Sequence, residues 1–221
     1  MRYRDRREAG QRLAERLLDY RDRPDVVVLG LPRGGVVVAY EVARRLHAPL
    51  DVFVVRKLGA PGQQELAMGA IASGGVRVLN PAVVEVWGIP SRVIEEVTGQ
   101  ELYELERRER IYRGGRPLMQ LEGRTVILVD DGIATGATMR AAVAALRKLN
   151  PARIVAAAPT AAPQACELLA SEADEVVCDI TPDPFYSVSL WYEDFTQHSD
   201  EEIRELLERA AREPREGEEP G

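Results

Sequence analysis

The sequence predicts an α/β fold, a mostly parallel sheet of about five strands flanked by helices. Three observations carry that prediction. Aliphatic runs such as Val26–Leu29 and Val126–Val129 are unbroken by polar residues, the pattern of strands buried on both faces. Segments of helical period separate the runs, as crossovers between parallel strands require. Small and polar residues gather directly after the runs, at the strand ends where open parallel sheets bind ligands.

In order, Asp5–Tyr20 places Ala9, Leu13, Leu17 and Tyr20 at helical spacing, with Asp5 as the cap. Asp25–Leu31 is the first strand, and after Gly-Leu-Pro-Arg-Gly-Gly comes a helix with Ala39, Val42, Ala43 and Leu46 inward. Asp51–Val55 is the second strand. A charged helix spans about Ser91–Arg113, where Glu104/Arg108 and Glu106/Arg110 are spaced to pair along a solvated face. The strand at Val126 leads to a helix at Ala141–Leu149. Arg153–Ala158 and Glu175–Ile180 are the last strands, with a helix opened by Pro163 between them. Ser199 and Glu202 form a capping box ahead of Ile203, Leu206, Leu207 and Ala210. The charged, Pro- and Gly-rich stretch 212–221 reads as a disordered tail.

Bulk properties narrow the function. The 221 residues suit one domain with a sizeable core, and no apolar run approaches the ~20 residues of a membrane helix. A net charge of -7 disfavours broad binding to nucleic acid. Cys166 and Cys178 lack metal-ligand spacing and fit a reducing compartment. The opening MRYRDRREAG has no hydrophobic signal segment, so the expected location is cytoplasmic. Lys occurs only at positions 57 and 148, so nearly all positive charge is Arg.

The chemistry concentrates in Val126–Thr138, VILVDDGIATGAT. A strand, a turn of small residues and a helix N-terminus make an anion site, because free backbone N–H groups and the positive dipole end point into the turn. Ala134, Thr135, Gly136, Ala137 and Thr138 form that cradle: Gly136 permits close approach, and the Thr135 and Thr138 hydroxyls can donate to phosphate oxygens. No Lys follows the glycine, which argues against a Walker-type nucleotide site. Asp130 and Asp131 stand beside the cradle, an arrangement reconciled by a ribose 5-phosphate whose ring hydroxyls donate to them. The competing reading is a surface turn with a capping Thr and two solvated carboxylates. Earlier in the chain, Leu31-Pro32-Arg33-Gly34-Gly35 sets a guanidinium between a rigid Pro and glycines whose backbone can aim N–H groups at an anion, unless it is a plain tight turn.

The stretch Val126–Thr138 resembles the phosphoribosyl-pyrophosphate signature of type I phosphoribosyltransferases: a hydrophobic strand, two acids, two apolar residues, then x-T-G-x-T. The resemblance implies that Pro32, Arg33 and Gly34 bind pyrophosphate, in a loop that often has a strained or cis peptide. Arg56-Lys57 resembles the basic pair of adenine-type members, which also binds pyrophosphate and precedes a flexible loop closing over the reaction centre. Leu58–Ser73, with Gly59, Gly62, Gly69 and polar Gln63, Gln64 and Glu65, suits such a lid. The implied reaction releases pyrophosphate from ribose C1 and captures the sugar with a nitrogen nucleophile. Arg33, Lys57, Asp130 and Asp131 are the implied catalytic residues. Two phosphates and a diol make an oxygen-rich Mg²⁺ site, held mostly by substrate and water, with Asp130 and Asp131 touching the metal indirectly.

The family expectation extends to organisation. Residues 1–180 would form the core, with a helical insertion at about 80–123, and 181–211 a small C-terminal hood subdomain over the acceptor. Two stretches could build that hood, Thr181–Gln197 and the N-terminal helix; Phe185, Tyr186, Trp191 and Tyr192 could stack on a planar base, or equally pack a loop-rich subdomain. A homodimer is the family expectation. Departures are also informative. The 6-oxopurine enzymes carry Asp where this chain has Ala134, which disfavours a hypoxanthine or guanine acceptor, yet no adenine pocket follows the fifth strand. The chain looks most like a bacterial group of predicted phosphoribosyltransferases of unassigned substrate. Alternatives are a non-catalytic sensor of phosphoribosyl pyrophosphate or a nucleotide, and another sugar-phosphate enzyme. An aspartyl phosphatase would want a second carboxylate two residues on, where Gly132 and Ile133 stand.

Overall fold

A computed structural model describes residues 2–213. The expected disordered tail lies outside the described residues from 214 on, while Arg212 still ends a helix. In chain order, α1 (Arg6–Glu15) leads to β1 (Val26–Gly30), α2 (Gly34–Leu46) and β2 (Leu50–Val52). Then come β3 (Val55–Ala60), β4 (Gln63–Ala72), β5 (Val76–Leu79), α3 (Pro81–Val86) and α4 (Ser91–Arg113). The second half alternates: β6 (Thr125–Val129), α5 (Ala137–Arg147), β7 (Arg153–Thr160), α6 (Pro163–Ala170) and β8 (Glu175–Ile180). A 3-10 turn at Val188–Trp191 precedes α7 (Asp200–Arg212). Asp5 caps α1 by accepting from the Glu8 amide, and Ser199 with Glu202 completes the capping box of α7.

Five parallel strands form the main sheet in the order β2-β1-β6-β7-β8. Its unbroken hydrophobicity has a simple cause: both faces are covered. Val27, Leu29, Val126 and Leu128 face α5 and α6, while Val26, Val28, Ile127 and Val129 face α1 and α2. The helices after β1 and β6 thus leave for opposite faces of the sheet.

The segment expected as a mobile lid is a β-hairpin in the structure rather than an open loop. Its residues form most of a second sheet, antiparallel in the order β3-β4-β5. Leu58, Ala60, Met68 and Ile71 are buried in a cluster with α4 and α7. Glycines that suggested mobility serve close approach instead: a Cβ on Gly59 would lie 2.8 Å from the Gln64 carbonyl oxygen, and one on Gly69 would overlap that of Val78. Gly62 makes the turn, with φ +74.

The charged helix α4 is solvated on one face only. Glu104 pairs outward with Arg107 and Arg108, but Leu105, Tyr112 and Arg113 are buried. Arg113 donates to Asp51 Oδ1 at 2.9 Å, to the Val52 carbonyl at 2.6 Å and to Glu109 at 2.5 Å, fastening α4 to the edge strand β2. α7 packs against α2 and α4, and the Tyr112 hydroxyl reaches Asp200 at 2.7 Å. Cys166 and Cys178 are neighbours, their sulfurs 3.5 Å apart. Among the described residues no helix is long and apolar enough to cross a membrane.

Arg113→Met leaves Asp51 as an uncompensated, largely buried carboxylate. Urea denaturation should show a loss of about 3–5 kcal/mol. Arg113→Met combined with Asp51→Leu should lose less, since the orphaned charge is then gone.

Candidate active site

The site begins with strand register. β1 and β6 are parallel neighbours with Gly30 opposite Val129, so the loops that follow them leave the sheet side by side. The two loops touch through glycines. A Cβ on Gly34 would overlap Asp131 Oδ2 and lie 2.5 Å from Arg6 Nε; one on Gly35 would lie 2.8 Å from the Val129 carbonyl and 3.0 Å from Asp130 Oδ1. Pro32, Arg33 and Gly34 are therefore brought directly against Asp130 and Asp131. The Pro32–Arg33 peptide is cis. The half-buried Arg33 side chain has no hydrogen bond or ion pair with another described residue.

The paired acids differ in surroundings. Asp130 Oδ1 accepts from the Asp131 amide at 2.8 Å. Burial, then the adjacent Asp131 charge, push the Asp130 carboxyl well above the usual carboxylate range, while the Asp131 amide and the Arg6 charge oppose the shift. Asp131 Oδ2 accepts from Arg6 Nε at 2.7 Å, and its carbonyl accepts from the Tyr192 hydroxyl at 2.5 Å. Burial, then the Asp131 charge, raise the Tyr192 phenol.

The cradle is open. Gly136 caps α5 at φ +77, packed against Ala165, and Thr135 Oγ1 accepts from the Ala137 amide at 3.3 Å. No described protein acceptor faces the amides of Ala134, Thr135, Gly136 and Thr138. Ala134, Thr135, Ala137 and Thr138 are exposed, so a bare helix N-terminus faces solvent beside the acids.

The basic pair does not act as a pair. Strand alternation separates the two side chains: Arg56 Nε binds Glu101 of α4 at 2.7 Å, and Lys57 Nζ lies 3.2 Å from Glu65 across the hairpin. Neither is hydrogen-bonded to the loops after β1 and β6.

The aromatic group is also divided. Tyr192 offers no free face for stacking, a correction to its expected acceptor-binding role. The residue is 2% exposed, with the Tyr3 ring at 5.5 Å and the Phe195 ring at 5.1 Å. Phe185 and Trp191 stack on each other at 6.4 Å, and Tyr186 is 79% exposed. The stretch expected as one hood splits. Its first part pairs with the N-terminus, where the Tyr3 amide donates to Trp191 at 2.8 Å and the Glu193 amide to Tyr3 at 2.8 Å; its second part is α7.

Sequence reasoning missed Arg6. It is one of several arginines near the N-terminus, and nothing in the sequence separates it from them. Among the described residues no three His, Cys, Asp or Glu side chains form a metal cluster. Asp130 and Asp131 offer carboxylate oxygens, the donor type a hard cation takes, but too few to enclose one by themselves.

The two glycines predict contrasting variants. Gly34→Ala meets side chains that can swing aside, so the protein should fold but lose the Arg6–Asp131 contact. Gly35→Ala meets backbone, and thermal melting should show a loss of at least ~2 kcal/mol, typical of forced overpacking.

Comparison with known proteins agrees with the layout. The family model described as phosphoribosyl transferase domain matches residues 4–191. A Mycobacterium tuberculosis protein provisionally named a phosphoribosyl transferase is 49% identical over 208 residues, covering 94% of this chain and 47% of that protein. The chain thus spans about half the length of the curated relatives it matches. The crystal structure of TT1426 from Thermus thermophilus superposes with a TM-score of 0.84 at 46% identity, covering 94% of this chain and 98% of that one. A ribose-phosphate pyrophosphokinase of Methanopyrus kandleri is 42% identical over 76 residues, 33% of this chain and 26% of that protein.

Proposed function

We propose that this protein, which belongs to the phosphoribosyl transferase domain family, transfers the phosphoribosyl group of phosphoribosyl pyrophosphate to a nitrogen nucleophile and releases pyrophosphate. One observation supports this reading above the others. The Pro32–Gly34 loop lies directly against Asp130 and Asp131, which lead into the open amide cradle at 134–138. In this reading the loop receives the leaving group, the acids accept from the diol and the cradle seats the phosphate, in sequence along one sugar phosphate.

The amides of Ala134, Thr135, Gly136 and Thr138 anchor the 5-phosphate far from the bond that breaks, which holds C1 in place for attack. Asp131 and Asp130 accept from the ring hydroxyls. The C1–O bond breaks with its electron pair on the departing oxygen, and Arg33, unpaired with other described residues, meets the charge that grows there. The nucleophile nitrogen then bonds to C1. Mg²⁺, when bound, would neutralise pyrophosphate charge, with Asp130 and Asp131 contacting it through water or the sugar hydroxyls. Lys57 lies on the hairpin, tied to Glu65, and serves the leaving group only if the hairpin carries it inward. Phe185, Trp191 and Tyr186 remain the candidates for acceptor stacking.

The decisive assay measures pyrophosphate release with Mg²⁺, phosphoribosyl pyrophosphate and a panel of nitrogen nucleophiles. Release that depends on the nucleophile supports transfer; tight binding without release with every member of a broad panel would favour a sensor. Asp130→Asn and Asp131→Asn should each weaken calorimetric affinity for phosphoribosyl pyrophosphate by about 10- to 100-fold, the scale of one charge-assisted hydrogen bond. Arg33→Ala should lower kcat by about 10²- to 10³-fold with little change in melting temperature, as expected for a group aimed at developing charge.

A further inference from the structure

Arg6 belongs to no motif that points to a sugar phosphate, yet it is built into the site. It opens α1, its side chain is 6% exposed, and it reaches across the molecule to Asp131. Nε donates to Asp131 Oδ2 at 2.7 Å and Nη1 to the Thr196 carbonyl at 2.9 Å. The guanidinium carbon lies 3.9 Å from the Phe195 ring centroid and 5.9 Å from that of Tyr192.

We infer that Arg6 is a positioning residue for sugar binding: it clamps one oxygen of Asp131 so that the other is held toward the sugar hydroxyls. This rests on the phosphoribosyl reading of the site. Two observations favour positioning over simple stabilisation. First, a buried ion pair is weak evidence for stability, since apolar residues of similar volume often do as well. Stability alone therefore gives no reason to place a guanidinium at the mouth of a binding cleft. Second, every polar handle of Asp131 but one is held. Its amide donates to Asp130, its carbonyl accepts from Tyr192, and Oδ2 accepts from Arg6. The remaining oxygen, Oδ1, has no hydrogen-bond partner among the described residues. Gly34 supplies the floor, since any side chain there would displace both Arg6 and Asp131. Fixing a binding carboxylate before the ligand arrives removes an ordering cost from the binding step.

The test uses the full chain with Mg²⁺ and phosphoribosyl pyrophosphate, comparing wild type, Arg6→Lys, Arg6→Met, Asp131→Asn and the Arg6→Met/Asp131→Asn double variant by calorimetry and steady-state kinetics. Arg6→Met should weaken affinity by about 10- to 100-fold, the scale for losing an orienting partner. KM should rise more than kcat falls, and Arg6→Lys should lie between Arg6→Met and wild type. The double variant should bind no worse than Asp131→Asn alone, because Arg6 acts through that carboxylate. Unchanged affinity in Arg6→Met overturns the inference and leaves a structural pair. Tighter binding overturns it by making Arg6 a competitor for Asp131. A full further loss in the Asp131→Asn background overturns it by making Arg6 a direct ligand contact. If Arg6→Met does not fold, Arg6→Lys decides: a several-fold weakening that vanishes in the Asp131→Asn background supports positioning, and no weakening overturns it. Absence of binding by wild type overturns the phosphoribosyl reading and this inference together, whereas wild-type binding shared unchanged by the Arg6 variants overturns this inference alone.

Discussion

Everything at the site depends on β1 lying beside β6 in parallel register. The helix after β1 goes to one face of the sheet and the helix after β6 to the other. Diverging helices leave a crevice above the strand ends at the point where the strand order reverses, the usual ligand position in open α/β sheets. The register then decides what lines it. Gly30 opposite Val129 puts the Arg33 loop and the paired acids at the same height, so close that a Cβ at position 35 would meet backbone and one at position 34 would push the Arg6 and Asp131 side chains aside. The cradle follows two residues beyond Gly132, where the backbone turns into α5.

That dependence explains what the sequence can disclose. The five parallel strands and their helices are legible because each reports locally: a strand buried on both faces is aliphatic throughout, and a cap is a Ser or Asp at a fixed offset from its helix. The acids and the cradle are legible for the same reason, since strand, carboxylates and turn are contiguous. The hairpin misleads because Gly59 and Gly69 carry two meanings, freedom and close approach, and only the neighbouring strand distinguishes them. Arg113 and Arg6 are invisible for a different reason. Their partners lie 62 and 125 residues away, and nothing in a run of arginines marks which one a fold will bury. The aromatic neighbourhood of Tyr192 points to the site, but its contribution is the hydroxyl on the Asp131 carbonyl rather than a free ring face.

The long-range pairs also resolve an electrostatic difficulty. Two formal carboxylates next to an open amide cradle would repel any anion drawn to those amides, and low-dielectric surroundings would strengthen the repulsion. The fold lessens that charge in two ways. Arg6 offsets Asp131 through a direct ion pair, and burial, then the adjacent Asp131 charge, raises the Asp130 carboxyl above the usual carboxylate range. A carboxylate with a cation on one oxygen still accepts from a hydroxyl on the other. Asp131 thus keeps a free acceptor oxygen beside the cradle while the pair presents less negative charge than its formal count implies. An N-terminal arginine, not adjacent to the motif, offsets the acids where they share a rim with the cradle.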